Sequence, residues 1–343
     1  MIRRTSCIIA RSSDPCRNLA IEKHLMDTLP EDTAILFLYQ NDCAVTVGRN
    51  QNPWYECNVE PYLESGGTLT RRLSGGGTVY QDPGVLNFSF ILPKTHFNTK
   101  QQLNMAAAAV QRMGIPVQSA PGGSIASLGR IFSQNAFFKA GSTALHNGSL
   151  LVHANIDAME SFLLPGGKRL KGKARPKIDS LYGNLREISP EITIEGLEES
   201  LYNVFASTFG TQPVFLDEQM LDERTIEQLT LQFANPDWVY PEALPYNFSV
   251  DEHFPWGDVT VLLWRENGVI RASRIFSDAM EAALFDRIQQ ALTGCPFLIG
   301  AIGTRFQQRL GLIKDPRLLQ IAGDVCTLIC GRIRAMDRQG EGA

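Results

Sequence analysis

The stretch "RRLSGGGTVYQDPGVLNFSF", residues 71–90, places two arginines and three consecutive glycines directly before an alternating apolar strand. Glycine has no Cβ, so a ligand can approach the backbone N–H groups of residues 75–77 closely. Arg71 and Arg72 can supply positive charge to a phosphate or carboxylate, and Ser74 adds a hydroxyl. The pattern is typical of an anion-binding turn, with a purely structural glycine bulge as the alternative. No Gly-Lys-Ser/Thr follows, and a strand rather than a helix comes next, so Walker and dinucleotide loops are excluded.

The bulk composition is that of a globular protein larger than one core. The chain has 343 residues, of which 44% are hydrophobic and 20% charged, and two domains are expected. A net charge of -4 and a pI near 5.8 argue against a nucleic-acid partner. No apolar run approaches the roughly 18 residues of a membrane span, and the N-terminus lacks a signal-peptide pattern. We therefore expect a cytoplasmic protein without a membrane partner.

The seven cysteines are scattered and lack metal-site spacing. Cys326 and Cys330 lie four residues apart on a predicted helix with no histidine nearby, so buried thiols are favoured over zinc ligands. Reduced thiols agree with a cytoplasmic location. The sequence predicts no metal site built from protein side chains.

The periodicity along the chain predicts a larger mixed α/β domain and then a smaller one. After about residue 244 the pattern resets to a hairpin, whose turn carries the type I′ pair Asn267-Gly268, and to two helices. We expect domains at 1–245 and 246–343, joined by the segment around Pro241 to Pro245. In the first domain, strands are predicted at 5–10, 33–42, 43–50 and 142–156, with extended pieces within 121–141, and helices at 16–30, 59–67, 99–114, 157–165 and 193–210.

A second motif, "VTVGRNQNPWYECN" at residues 45–58, is predicted to be a strand end that opens into a loop. Ligand-binding groups often lie at such positions. Trp54 in this loop is interpreted first as a core anchor and second as a ligand contact.

Several motifs together are similar to those of the lipoate-protein ligase A family. They are "GRNQNPWYECN", "RRLSGGGTVYQDPG", "LGRIFSQNAF", "LHNGSLLVHANI", "FPWGDVTVLLW" and "RASRIFSD", in order from about Asn18 to about Asp278. The resemblance implies an α+β fold, with a large biotin/lipoate ligase-like domain of mixed sheets and a small C-terminal α/β accessory domain. It implies that ATP, with Mg²⁺, activates lipoate to lipoyl-AMP. The lipoyl group would then pass to a lysine of a carrier domain, in the glycine cleavage H protein or a 2-oxoacid dehydrogenase E2 protein.

The resemblance also implies which residues bind substrate. Arg72 would face the phosphate and carboxylate, residues 77–80 would line the nucleotide with their backbone, and the helix "NLAIEKHL" would wall the aliphatic tail. The implied substrate-binding residues are Arg72, Ser74, Gly75, Gly76, Gly77, Thr78, Val79, Tyr80, Asp82, Ser133, Asn135 and His146.

The chain departs from the family pattern at the reacting centre. In the family, a lysine that bridges the lipoyl carbonyl and the phosphate occupies the position of Ile131. Gln81 replaces a histidine before Asp82, and Asn147 replaces the second histidine of a His-His-Gly motif. Isoleucine can neither donate a hydrogen bond nor offset charge, so the catalytic residue is unassigned.

A surviving activity would need another cation in place of the lysine. Arg130 should point to the opposite face of its strand. Lys139 would serve if a bend brought it back, and a basic loop with Lys168, Lys171, Lys173 and Lys177 is either a lid or a solvated segment. Cys57 lies in a motif that the ligases share, so it is not interpreted as an acyl-carrying cysteine.

Three functions stay open. The protein is a ligase with an altered centre, an enzyme that uses another acyl donor or a preformed adenylate, or a protein that binds lipoate, an adenylate or a lipoyl domain without turnover. The carrier, the acyl group and the oligomeric state are not determined by the sequence. We expect weak or undetectable adenylate formation.

Overall fold

The N-terminal part of the chain is built on a mixed eight-stranded sheet. The structure, a computed structural model, describes residues 1–164, 177–240 and 245–340. The strands lie side by side in the order β11 (Val214–Phe215), β1 (Arg4–Ile9), β2 (Thr33–Tyr39), β6 (Val85–Pro93), β10 (Thr143–Leu151), β9 (Arg130–Ala140), β8 (Ile125–Ser127) and β7 (Gln118–Ser119). A second sheet has the order β4 (Thr68–Arg71), β3 (Ala44–Val47) and β5 (Val79–Gln81). The glycine turn therefore lies between two strands of the second sheet, β4 and β5.

Nine helices are described in this part of the chain, several of them closed by side-chain caps. They are α1 (Pro15–Asp27), α2 (Pro53–Glu56), α3 (Val59–Glu64), α4 (Thr99–Gln111), α5 (Ile156–Phe162), α6 (Ile178–Leu181), α7 (Ile194–Phe209), α8 (Glu223–Ala234) and α9 (Pro236–Val239). Asp14 caps α1 by accepting a hydrogen bond from the Cys16 N–H. Among the described residues, no helix is both long and apolar enough to cross a membrane.

Strand β6 shows how the large sheet is covered on both sides, since all nine of its residues are buried. Phe88 and Phe90 point to one side, into a core that also contains residues of α4 and α7. We call this side the α4 face. The alternate residues point to the other side, where Ile91 packs in a core with residues of α1 and α8. We call that side the α1 face. Asn87 and Ser89 are the polar members of the α1 face on this strand.

The C-terminal part is a separate α/β unit with its own core. Its elements are the antiparallel strands β12 (Phe248–Phe254), β13 (Gly257–Glu266) and β14 (Val269–Ser277), and the helices α10 (Ala282–Leu292), α11 (Ile299–Leu310) and α12 (Pro316–Gly340). At the hairpin turn Asn267 has φ 50° and Gly268 has φ 71°, the left-handed backbone that the type I′ prediction requires.

Two compact units account for the chain. The N-terminal unit comprises Met1–Gly48, Asn52–Ser74 and Thr78–Tyr240, whereas Arg49–Gln51 and Gly75–Gly77 group with the C-terminal unit. The predicted α+β class is confirmed. The boundary near residue 245 stays a prediction, and residues 241–244 of the expected linker lie outside the described residues. Several elements differ from expectation. Strand β9 is one strand of 11 residues, and α8, β12 and α11 were not predicted.

Candidate functional site

A buried polar cluster surrounds the second arginine of the glycine motif. The Arg72 Nε donates to Ser74 Oγ at 3.0 Å, and Nη1 donates to the Thr46 carbonyl at 3.1 Å. The Ser74 hydroxyl in turn donates to Asn147 Oδ1 at 3.0 Å. The side chains of Arg72 and Ser74, both predicted substrate-binding residues, thus contact each other. Their third partner, Asn147, occupies a position where the family has a histidine.

A carboxyl on α1 belongs to the same layer. Glu22 is fully buried, and its Oε2 accepts from Ser89 Oγ at 2.5 Å. Burial raises the Glu22 pKa to about 7, against the opposing effects of the Ser89 hydroxyl and the Arg72 charge. Burial lowers the Arg72 pKa to about 10, although Tyr39 and Glu22 favour the charged form. Desolvation therefore outweighs their mutual attraction in both groups. Sequence reasoning missed Glu22 as a site residue; the signal was a carboxylate within the apolar stripe of "NLAIEKHL".

Buried amides extend this layer. The Gln81 side chain accepts from Asn41 Nδ2 and from Thr46 Oγ1, both at 2.9 Å, and donates to Asn87 Oδ1 at 2.6 Å. Gln81 stands where the family has a histidine. The amide network ends at Asn87 on the α1 face of β6.

Two polar atoms of this layer are buried without a hydrogen-bond partner among the described residues, Glu22 Oε1 and Asn87 Nδ2. Buried polar atoms in native proteins nearly always find a protein or water partner. A carboxyl oxygen and an amide donor left unsatisfied on one face fit a layer that receives a ligand or ordered water.

The glycine turn makes its own backbone contacts within the C-terminal unit. Gly76 has φ 84° and donates its N–H to the Ala279 carbonyl at 3.1 Å. A Cβ on Gly75 would lie 2.4 Å from that same carbonyl oxygen, whereas a Cβ on Gly77 would meet no atom within 4 Å. Close packing of Ala279 thus explains the glycine at position 75 without a ligand. Gly77, unlike Gly75, leaves open space of the kind that a ligand-lining glycine provides.

The residues after the turn have mainly structural contacts. Thr78 leads into β5, where Val79 and Tyr80 pair with β3, and the Tyr80 ring packs into a core. The two carboxylate oxygens of Asp82 accept from the Gly84 and Asn155 N–H groups, each at 2.8 Å. The Asp82 side chain therefore fastens the turn before β6 to the start of α5.

The predicted residues of β9 and β10 lie on the α4 face, away from the Arg72 cluster. His146 Nε2 donates to Asn135 Oδ1 at 2.8 Å, and Asn135 Nδ2 contacts Ser133 Oγ at 3.2 Å. The His146 ring packs against Phe88 and two further phenylalanines. Burial lowers its pKa to about 3, so the ring is neutral. Because side chains alternate along a strand, it is Asn147 that points to the α1 face. The structure thus separates Ser133, Asn135 and His146 from Arg72.

A β-bulge sets the direction of Ile131. Ile125 pairs with Ser133 but Ala126 pairs with Ile131, which leaves Phe132 as the extra residue. Phe132 packs into the α4-face core, so alternation turns the partly buried Ile131 side chain toward the α1 face. Ile131 and Asn147 thus point to the same side of the large sheet, and the predicted role of position 131 stays untested.

Arg130 and Lys139 both lie on β9, the strand that carries Ile131. Arg130 pairs with Glu187, in agreement with the predicted opposite face. Lys139 is exposed, with Nζ 5.3 Å from the centre of the Phe97 ring. It lies eight residues along the same strand from Ile131, or about 26 Å at the usual rise per residue. Strand β9 is continuous over Arg130–Ala140 and does not return Lys139 toward Ile131, so its role as a substitute has no support here and stays untested.

Of the basic loop, only Lys177 is described, as an exposed residue before α6. Lys168, Lys171 and Lys173 lie outside the described residues. The lid prediction therefore stays untested.

Two family models match the chain, one in the N-terminal part and one in the C-terminal part. The family model "Lipoyl protein ligase A/B catalytic domain" matches residues 14–206, more than half of the chain. The chain belongs to this ligase family. The model "Bacterial lipoate protein ligase C-terminus" matches residues 243–324. Lipoate-protein ligase A of Psychrobacter cryohalolentis is 29% identical over 304 residues, which cover 86% of this chain and 90% of that protein.

Solved ligase structures confirm the fold. LipL1 of P. falciparum, crystallised with lipoate, gives a TM-score of 0.82 at 22% identity and covers 94% of this chain and 99% of its own. An ATP-bound lipoate-protein ligase A gives 0.58 at 20% identity, covering 69% of this chain and 98% of its own. A bipartite ligase of Thermoplasma acidophilum, reported with its E2 lipoyl domain, gives 0.62 at 17% identity, covering 71% and 99%.

Two residues of the ligase motif "GRNQNPWYECN" can now be assigned. Cys57 is buried, and burial raises the pKa of its thiol to about 12, which is unsuited to an acyl-carrying nucleophile. Trp54 is 54% exposed and lies beside Tyr240, so its interpretation as a core anchor was wrong. In the part of the chain that the structure describes, no group of three or more His, Cys, Asp or Glu side chains could hold a metal ion.

Proposed function

We propose that this ligase-family protein activates lipoate with ATP to lipoyl-AMP and transfers the lipoyl group to a lysine of a carrier domain, with a slow first step. The observation that carries the proposal is the buried Arg72–Ser74–Asn147 cluster on a chain of this family. It retains a cation for an anionic substrate, beside unsatisfied polar groups that a ligand can complete.

In the first step a carboxylate oxygen of lipoate attacks the α-phosphorus of ATP. The bond from that phosphorus to the bridging oxygen breaks, and pyrophosphate leaves. Two anions must approach each other, so positive charge and N–H donors stabilise the transition state. Arg72 supplies charge from this chain. Mg²⁺ of the nucleotide would be held largely by its phosphates, as is usual for this ion.

In the second step the neutral amine of a carrier lysine attacks the acyl carbon. The bond from that carbon to the AMP oxygen breaks, AMP leaves with the bonding electrons, and the amine loses a proton. Because the attacking amine is neutral, the second step has less repulsion between anions to overcome than the first step. Losing a cation at the reacting centre should therefore slow adenylation more than transfer.

Ile131 is the reason to expect a slow first step. Removal of one preorganised donor at a reacting centre typically costs about 3–4 kcal/mol, or roughly 10²–10³ in rate. Of the described alternatives, Arg130 pairs with Glu187, and Lys139 lies eight residues along β9 from Ile131. The same residue supports the second candidate, a protein that binds an adenylate or uses a preformed one.

The related structures support the choice of ligands. One relative holds lipoate, one holds ATP, and one is reported with an E2 lipoyl domain. For this chain we propose lipoate and ATP as substrates, and E2 lipoyl domains or the glycine cleavage H protein as carriers. The cytoplasmic location, and the exclusion of nucleic acid and membrane as partners, stay predictions.

Intact mass spectrometry of apo-carrier domains tests the proposal. With lipoate, ATP and Mg²⁺ we expect a slow gain of one lipoyl mass, and none when ATP is omitted. A matched reaction supplies synthetic lipoyl-AMP instead and should proceed much faster. Modification only from lipoyl-AMP would assign a transferase. Binding of lipoyl-AMP without any modified carrier would assign a binding protein and refute the ligase.

A further inference from the structure

Arg71, the neighbour of the site arginine, donates to three backbone carbonyls rather than lying open to a ligand. Its side chain is buried, with 3% of the residue exposed. Nη1 donates to the Gly48 carbonyl at 2.9 Å, Nη2 to that of Val239 at 2.7 Å, and Nε to that of Trp238 at 3.0 Å. The Trp238 indole N–H donates back to the Arg71 carbonyl at 2.8 Å. Arg71 is thus part of the folded scaffold.

The segments that contact Arg71 all lie at, or within three residues of, a point where the N-terminal unit ends. The N-terminal unit ends at Gly48, again at Ser74 and again at Tyr240, and each time the chain continues into the C-terminal unit. Gly48 accepts directly from Arg71, Val239 directly precedes Tyr240, and Arg71 itself lies three residues before Ser74. One guanidinium group therefore lies at, or within three residues of, all three points where the chain leaves the N-terminal unit.

We propose that Arg71 is a positioning residue. It fixes the three ends of the N-terminal unit, at Gly48, Ser74 and Tyr240, relative to one another, and it thereby positions Arg72. The Arg72 N–H donates to the Val47 carbonyl at 3.1 Å, one residue before Gly48. Increased mobility at Gly48 would therefore disturb the neighbouring Val47 carbonyl, to which the Arg72 backbone is hydrogen-bonded. The glycine turn follows three residues after Arg72.

Arginine suits this position because its planar fork carries five fixed N–H donors and keeps its charge. Lysine carries one compact ammonium and cannot span three carbonyls in the same geometry. The Arg71→Lys substitution thus retains the positive charge but removes the simultaneous hydrogen bonds to the three carbonyls. The consequence for ligand binding rests on the proposed function, whereas the fastening of the three ends does not.

Hydrogen exchange on the full-length protein tests the fastening. Arg17→Lys is the matched control, since Arg17 is mostly buried and binds Glu218 and Glu223 through several N–H groups. In Arg71→Lys we expect amide exchange at residues 46–52, 72–78 and 236–240 to rise together by about tenfold or more, because exchange reports local opening. In Arg17→Lys these three segments should keep their exchange rates even if the melting temperature falls equally. Faster exchange at 236–240 alone, or an equal rise in both variants, would overturn the proposal.

Calorimetric titration with a non-hydrolysable lipoyl-AMP mimic measures the consequence at the site. We expect Arg71→Lys to weaken binding by about tenfold, comparable to the loss of one good hydrogen bond, and Arg17→Lys to bind as the original protein does. Unchanged affinity in Arg71→Lys would overturn the claim that it places Arg72. Failure of the original protein to bind the mimic would refute the proposed function, while the exchange result still decides the fastening.

Discussion

Replacing Glu22 by glutamine should stabilise the protein, and the gain should depend on pH. The folded-state pKa of Glu22 is about 7 against an ordinary value near 4.5. Between these values the folded protein retains a proton that the unfolded chain has released. The original protein must therefore lose stability as pH rises from about 4.5 to 7, and the loss is complete above about 7. At roughly 1.4 kcal/mol per pKa unit, the full effect is about 3 kcal/mol.

Glutamine keeps the size of the side chain and a carbonyl oxygen that accepts from Ser89, but it cannot ionise. We expect Glu22→Gln to match the original protein at pH 4.5 and to be more stable by up to about 3 kcal/mol at pH 8. Denaturant unfolding across this pH range, following the transition that includes α1, measures the difference. Ser89→Ala is the companion variant, since it removes a hydroxyl that favours the ionised form and should move the transition to higher pH. A stability difference that does not vary with pH would refute the reasoning.

Three further predictions concern single residues. Arg72→Ala should weaken a lipoyl-AMP mimic by about 1.5–3 kcal/mol, the range for hydrogen bonds to charged groups, and unchanged affinity in calorimetry would give Arg72 a folding role alone. His146 has a folded pKa of about 3, so the original protein should lose stability as pH falls from about 6.5, where the unfolded chain takes up the proton. His146→Asn should lack that loss, and parallel acid unfolding of both proteins would contradict this. Gly75→Ala should lower the free energy of unfolding by about 1–3 kcal/mol, and with it the melting temperature, because the new Cβ would lie 2.4 Å from the Ala279 carbonyl oxygen. Gly77→Ala should melt normally and bind the mimic less well, and the reverse order would count against both assignments.

Elements with strong periodicity were predictable from the sequence, while side-chain directions near the site were not. The apolar alternation of β6 and the Asn267-Gly268 turn were both identified. His146 and Asn147 are adjacent on β10, and a shift of one residue decides which of them faces Arg72. The resemblance could not make that choice, because both positions fall within one motif. The bulge at Phe132, which turns Ile131 to the site face, likewise has no signature in a single sequence.

The roles of Arg71 and Asp82 depend on partners far along the chain. Arg71 meets Trp238, and Asp82 meets the Asn155 N–H. Nothing in the glycine motif distinguishes an arginine that binds a ligand from one that binds distant carbonyls. Glu22 is different, since a carboxylate in an apolar helix stripe is a readable signal of a buried polar site.

We propose that this ligase-family protein retains the scaffold and the arginine of the site but lacks a cation at position 131. Pyrophosphate release with lipoate and ATP, measured beside thermal melting, tests it directly. Ile131 is only partly buried, so a lysine there can extend its charged end from the apolar surface. We predict slow but measurable release by the original protein and by the uncharged control Ile131→Met. Ile131→Lys should raise release by roughly 10²-fold or more while remaining folded. Robust release by the original protein, or no gain in a folded Ile131→Lys variant, would show that the missing cation at position 131 does not limit adenylation.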